Sequence, residues 1–209
     1  ILVNLIIVPF RAPKSAAIYK KLWTANGSPL LYFSNKVKDL LQQELKDEYD
    51  VFLAMRYKNP SIASVLESMR KKNYSKIIVL PMFPQYASAS TGSALDEVMR
   101  VLRTWWVIPE MKFISQYYDQ PTFIDALVAR GKQYELGAYD HVLFSYHGLP
   151  ERQVDKVYSE GLCSDHDCES EITEENKFCY KATCYATTRL LAERLNIPKD
   201  KYTVCFQSR

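Results

Sequence analysis

The stretch DHVLFSYHGLP (Asp140–Pro150) decides the fold. Asp140–Tyr146 is a short, nearly continuous apolar run, and Gly148-Leu149-Pro150 is a turn that ends it. A run of this kind reads as a parallel strand buried on both faces, not as an alternating half-exposed one. Four further runs share the character: Asp50–Arg56 (DVFLAMR), Lys76–Met82 (KIIVLPM), Lys112–Tyr117 (KFISQY) and Tyr202–Gln207 (YTVCFQ). Helical patterns lie between and around them, near Ser15–Trp23, Asn35–Lys46, Ser61–Lys72, Ser93–Thr104, Thr122–Tyr134 and Lys177–Leu195. Ser34, Ser61, Ser93 and Thr122 are expected to cap them or to sit in their first turns. Strand and helix in alternation predict an α/β sandwich built on a parallel sheet.

Composition narrows the function classes. With 209 residues, 47% of them apolar, the chain can bury a core. A net charge of +3 gives no footprint for nucleic acid. The charge is uneven: Ser159–Asn176 holds Glu160, Asp165, Asp167, Glu169, Glu171, Glu174 and Glu175 with no Lys or Arg, so the remainder is basic. The six glycines form neither GxGxxG nor GxxxxGK[ST], which argues against a nucleotide. The opening run ILVNLIIVPF is too short to span a membrane, which takes about 20 apolar residues. A start at Ile1 and a stop straight after a strand-like run suggest part of a longer protein. Five cysteines without a secretory signal point to the reducing cytoplasm, where clustered thiols more often mean metal than disulfide.

Ligands of parallel α/β sheets bind beyond the C-terminal ends of the strands. Three such ends carry chemistry: Arg56-Tyr57, Pro84-Gln85-Tyr86 and Tyr146-His147-Gly148. His147 is the sharpest candidate, because a neutral imidazole accepts a proton or binds a divalent metal near pH 7. A capped, hydrogen-bonded strand-end histidine is the plain alternative. Arg56 offers a cation and Tyr57 a flat face with a hydroxyl; a surface arginine and a packing tyrosine would look the same. PQYASASTGSALDE (Pro84–Glu97) looks like an anion-friendly helix start, or simply an N-capped loop.

GSPL (Gly27–Leu30), Arg56-Tyr57 followed by Pro60, LPMFPQYASASTGSAL (Leu80–Leu95), FSYHGLPER (Phe144–Arg152) and FQSR (Phe206–Arg209) together resemble the ferrochelatases, in that family's order and approximate spacing. The resemblance implies a fold of two Rossmann-like lobes around a porphyrin cleft, with residues 1–158 as the first lobe lacking its first strand. It implies that residues 185–209 link to the start of a second lobe, whose glutamate faces the histidine across the cleft. By the same resemblance the protein inserts ferrous iron, as substrate, into protoporphyrin or coproporphyrin. His147 is then the active-site histidine, proton acceptor or metal donor, and Arg56, Tyr57 and Tyr86 are porphyrin-binding residues. The opening apolar run becomes a lip that touches porphyrin or rests against a membrane, with an ordinary core segment as the alternative. Cobalt or nickel chelatases of the same fold, a non-catalytic porphyrin or haem carrier and an iron–sulfur sensor are the rival readings. Oligomeric state is not legible.

Residues 159–184 carry C-x4-C-x10-C-x4-C: Cys163, Cys168, Cys179 and Cys184. Four thiols in so short an acidic segment suit structural zinc or an iron–sulfur cluster, and gaps wider than C-x2-C lean toward the cluster. Cys179 and Cys184 would lie about 140° apart on a helix, so both can face one site only if Cys179 lies outside the helix. Some bacterial ferrochelatases hold a two-iron two-sulfur cluster in a segment of this type, and the resemblance implies one here. Zinc, free thiols and disulfides are the alternatives. His166 reads as a bystander, and Cys205 as a small apolar strand residue.

Overall fold

The computed structural model describes residues 8–207. The chain forms two compact units, Ile1–Met69 and Arg70–Arg209. The opening run falls mostly on residues 1–7, outside the described residues.

In the first unit α1 spans Val8–Lys20 and α2 spans Pro29–Leu45. Pro29 opens α2 behind Ser28, where its missing N–H costs no hydrogen bond. Ser34, expected near a cap, lies inside that helix instead. α3 (Ile62–Lys72) is capped as expected: Ser61 Oγ accepts the Ser64 N–H at 3.1 Å. Among the described residues, the strand expected at Asp50–Arg56 does not form, and the segment carries a single bridge, Met55 to Ser61. The Gln42 side chain explains part of the difference. It accepts from Val51 N–H at 2.8 Å and donates to the carbonyls of Lys46 and Tyr49, so backbone groups here are satisfied without a ladder.

The second unit holds the strands. β1 (Lys76–Val79) pairs in parallel with β2 (Glu110–Phe113), and β3 (Val142–His147) with β4 (Tyr202–Gln207). The single sheet suggested by the apolar runs is thus two parallel pairs among the described residues. β4 coincides with its expected run, whereas β2 starts two residues before Lys112 and ends at Phe113. α4 (Ser93–Leu102) follows a π-helical turn at Ser88–Gly92 and buries Val98, Val101 and Leu102. α5 (Pro121–Gly131) follows β2, and the short α6 (Glu151–Val154) follows β3.

α7 (Tyr180–Arg194) is the central helix of this unit. It buries Ala182, Thr183, Cys184, Ala186, Thr187, Thr188 and Ala192, small residues that let neighbours approach, together with Leu191. Its buried threonines are not orphaned: Thr183 donates to the Cys179 carbonyl and Thr187 to that of Thr183, both at 3.0 Å. Leu191 packs with Ile124 and Val128 of α5 and with Phe144 of β3. That contact fixes which face of β3 turns inward. No described helix is long and apolar enough to cross a membrane.

Candidate active site and thiol cluster

β3 alternates. Val142, Phe144 and Tyr146 are partly buried, while Leu143, Ser145 and His147 are exposed. His147 is the last residue of the strand, opposite Gln207 in the register, and Gly148 N–H closes the ladder on the Gln207 carbonyl at 2.6 Å. The Tyr180 side chain, at the start of α7, lies near the His147 backbone. The imidazole is thus presented to solvent from a fixed backbone. On the other face, the Tyr146 hydroxyl meets Thr188 Oγ1 at 2.8 Å, and burial pushes its pKa up to about 12. A cavity of about 300 Å³ is lined by Gln85, Phe144, Tyr146 and Thr187. Phe144, Ser145 and Tyr146 of β3 all contribute to its lining, and His147 does not.

Tyr86 sits half-buried in the loop after β1, its ring edge-on to Phe178 with centroids 6.1 Å apart. Its hydroxyl lies 3.0 Å from where a Cβ on Gly92 would stand, so the glycine of the STG turn makes room for it. Gln85 donates to Thr187 Oγ1 at 3.0 Å and anchors this loop to α7. In the first unit, the Arg56 guanidinium lies over the Tyr57 ring at 4.8 Å, and Tyr57 is strongly exposed. That stack is a charged, flat-faced surface suited to an aromatic anion.

The acidic segment folds around the thiols. Asp155 accepts the Cys163 N–H at 2.9 Å, and Asp165 accepts that of Leu162 at 2.9 Å. Buried Asn176 accepts the Thr173 N–H and donates to the Glu171 carbonyl, and its own carbonyl accepts the Cys179 N–H at 2.8 Å. Cys179 is extended (φ −74°, ψ 121°) and stands just before α7, the non-helical position that the spacing demands. The sulfurs of Cys163, Cys168 and Cys179 all lie within 4.8 Å of one another. Four thiolates about 2.3 Å from one tetrahedral ion would stand about 3.8 Å apart, so a contraction of an ångström or less makes three of the ligands. Cys184 is separate from this trio: its thiol lies beside Tyr180, and burial holds its pKa high. Burial pushes the Cys163 thiol up to about 11 and raises Cys168, while Lys181, paired with Glu169 at 3.1 Å, works against both shifts. Dry, thiol-rich surroundings with one cation at the rim fit a metal held by thiolates. Cys205 lies in β4 opposite Ser145, outside this group. No pattern along the chain marks Tyr158, which packs in one cluster with Cys163, Cys168 and Cys179, or His166, which stacks on Tyr158.

These features define an α/β protein with a strand-end histidine and a buried cysteine group suited to metal. Comparison with known proteins supplies the family. The profile described as Ferrochelatase matches residues 1–209, so the chain belongs to the ferrochelatase family. It is 44% identical over 209 residues to "Ferrochelatase" of Legionella pneumophila (strain Paris), covering all of this chain and 62% of that protein. It is 39% identical over 212 residues to "Ferrochelatase" of Coxiella burnetii (strain Dugway 5J108-111), covering all of this chain and 58% of that protein. The chain therefore spans about three fifths of the length of these relatives.

Proposed function

We propose that this protein inserts ferrous iron into a porphyrin, protoporphyrin or coproporphyrin, as the metal-inserting lyase step of haem synthesis. The observation that carries the reading is the placement of His147: the end of a parallel strand, on its exposed face, with the strand end held by Gln207. Family membership supplies the chemical context.

Metal insertion needs a porphyrin bent out of plane, two N–H protons removed and Fe²⁺ stripped of water. The neutral His147 ring has one free lone pair, so it accepts a pyrrole proton or holds the iron, but not both on one nitrogen. Arg56 would meet a porphyrin carboxylate, while Tyr57 and Tyr86 supply flat contact. Distortion of the macrocycle draws on binding energy from an apolar cleft. The opening apolar run supports a contact with porphyrin or a membrane surface. Residues 1–158 would form the first lobe, 159–184 the cysteine segment and 185–209 the link onward.

Cys163, Cys168 and Cys179, completed by Cys184, would hold a two-iron two-sulfur cluster. The cluster supplies one-electron chemistry when bound, which metal insertion does not require. Completing the four would require Cys184 to turn from beside Tyr180 toward the trio.

Anaerobic Fe²⁺ insertion into protoporphyrin and coproporphyrin by the full-length protein tests the reading, with His147→Ala alongside. Insertion that collapses in the variant supports it and names the substrate. A folded wild type that binds porphyrin without metallating it would overturn the enzyme in favour of a carrier.

A further inference from the structure

One buried hydroxyl faces the sulfur group without a partner. Tyr158 is 7% exposed, and its Oη is sealed from solvent with no well-formed hydrogen bond among the described residues. The side chain belongs to the same packed cluster as Cys163, Cys168 and Cys179. Those three thiols are its electrostatic neighbours: burial first, then Cys179 ahead of Cys168 and Cys163, drives the hydroxyl pKa far above the ordinary tyrosine value. Oη reaches toward Cys179 but falls short of proper hydrogen-bond geometry. Native structures rarely leave such a group unsatisfied, so the orphan calls for an explanation.

The rest of the ring is held firmly. His166 stacks on it, with centroids 3.9 Å apart and planes 10° from parallel. His166 Nε2 lies 3.3 Å from the Glu160 carbonyl oxygen, and Nδ1 lies 3.8 Å from the Glu175 carboxylate. Gly161 takes φ +77°, a turn that L side chains rarely adopt, and a Cβ there would stand 3.5 Å from the same Nε2. The loop that carries the cysteines thus also clamps the tyrosine in place.

We propose that Tyr158 is a positioning residue of the thiolate metal site, its hydroxyl donating a hydrogen bond to a metal-bound cysteine sulfur, that of Cys179 first. A thiol is a weak acceptor and carries its own proton, whereas a metal-bound thiolate carries none and accepts strongly. The hydroxyl that is orphaned beside three thiols becomes satisfied beside three thiolates. Outer partners of this type orient ligands and tune the metal they hold. The inference rests on the reading that these cysteines bind metal, and it gives His166 the task of holding the donor.

The test compares full-length wild type, Tyr158→Phe, His166→Leu and Cys163→Ser. Each is reconstituted anaerobically with ferrous iron and sulfide, and iron, zinc and labile sulfide per chain are measured. Unfolding temperature is then followed with and without metal. Tyr158→Phe removes an orphan from the metal-free protein and a donor from the loaded one. Its unfolding temperature should therefore be unchanged or higher without metal and lower with it, with His166→Leu lowering the loaded value by less. A shift of the same sign in both states, or no change in the loaded protein, overturns the proposal. The wild type gives a second reading: its metal–sulfur vibrational bands should shift in D₂O, and the shift should shrink in Tyr158→Phe. Absence of any shift in wild type overturns the proposal even if the variant does not fold. If Cys163→Ser keeps full metal content, the thiolate-site reading fails and the Tyr158 role with it. A cysteine-dependent metal indifferent to Tyr158→Phe sinks the Tyr158 role alone.

Discussion

The Tyr146 hydroxyl and Thr188 Oγ1 hydrogen-bond at 2.8 Å, and this contact ties the strand that ends in His147 to the helix that begins beside Cys179. Thr188 is fully buried, so its lost partner is not replaced by water. Tyr146→Phe should lower stability by about 1–3 kcal/mol, the usual cost of leaving a buried polar group unpaired. Adding Thr188→Val should cost less than the sum of the two single changes. Urea unfolding of the four proteins measures the coupling, and additive costs would show that the bond is energetically idle.

The same tyrosine sets an alkaline limit. Its pKa is raised by burial from 10.0 to about 12 in the folded chain. Unfolded protein therefore loses this proton first as pH rises. The contribution is fully present below about pH 10 and is lost progressively toward pH 12. Urea midpoints between pH 9 and 12 should fall less steeply for Tyr146→Phe than for wild type.

Gly92 is helical and unstrained, so alanine there gains up to about 1 kcal/mol of helix propensity. The added methyl, however, would stand 3.0 Å from the Tyr86 hydroxyl and displace it. Gly92→Ala should leave the unfolding midpoint nearly unchanged while weakening porphyrin binding, read as fluorescence quenching on titration. Unchanged affinity would remove Tyr86 from the porphyrin site.

Cys205 pairs opposite Ser145 and stands outside the thiol group. Cys205→Ser should retain wild-type metal content, whereas serine at Cys163, Cys168 or Cys179 should abolish it. A chelator that strips the metal should lower the unfolding temperature of the wild type and leave those three variants unmoved, because metal binding is coupled to folding.

Lys181 opposes the burial that raises the Cys163 and Cys168 thiols. Lys181→Met should push both thiols further up and reduce apparent metal affinity at neutral pH. Because loading releases protons, affinity should rise with pH in both proteins, and the deficit should persist while the pH stays well below the Cys163 thiol's value of about 11. A Co²⁺ titration followed by its thiolate absorption between pH 6.5 and 8.5 would record this, and equal affinity at every pH would dismiss the lysine.

Local patterns were legible where the chain satisfies its own requirements. YTVCFQ is continuous, β-prone and bounded, and β4 occupies Tyr202–Gln207 without adjustment. HGLP forces the strand before it to end, so His147 was readable as a strand-end residue before any contact was known. The spacing of Cys179 and Cys184 required one of them to lie off the helix, and α7 begins one residue after Cys179. DVFLAMR has equal apolar character but did not become a strand, because ladder bonds belong to a pair of segments and Gln42 takes up backbone groups nearby. The periodicity of one segment cannot report its partner. Tyr158, His166 and the three sulfurs are spread over residues 158–179, with no period that marks them as neighbours. Patterns along the chain carried the α/β class, the strand that ends at His147 and the run of closely spaced cysteines. Which sulfurs meet, which face of β3 carries His147 and which hydroxyl lies unpaired beside the cysteines came from packing, since burial and orientation arise from contacts among segments distant along the chain.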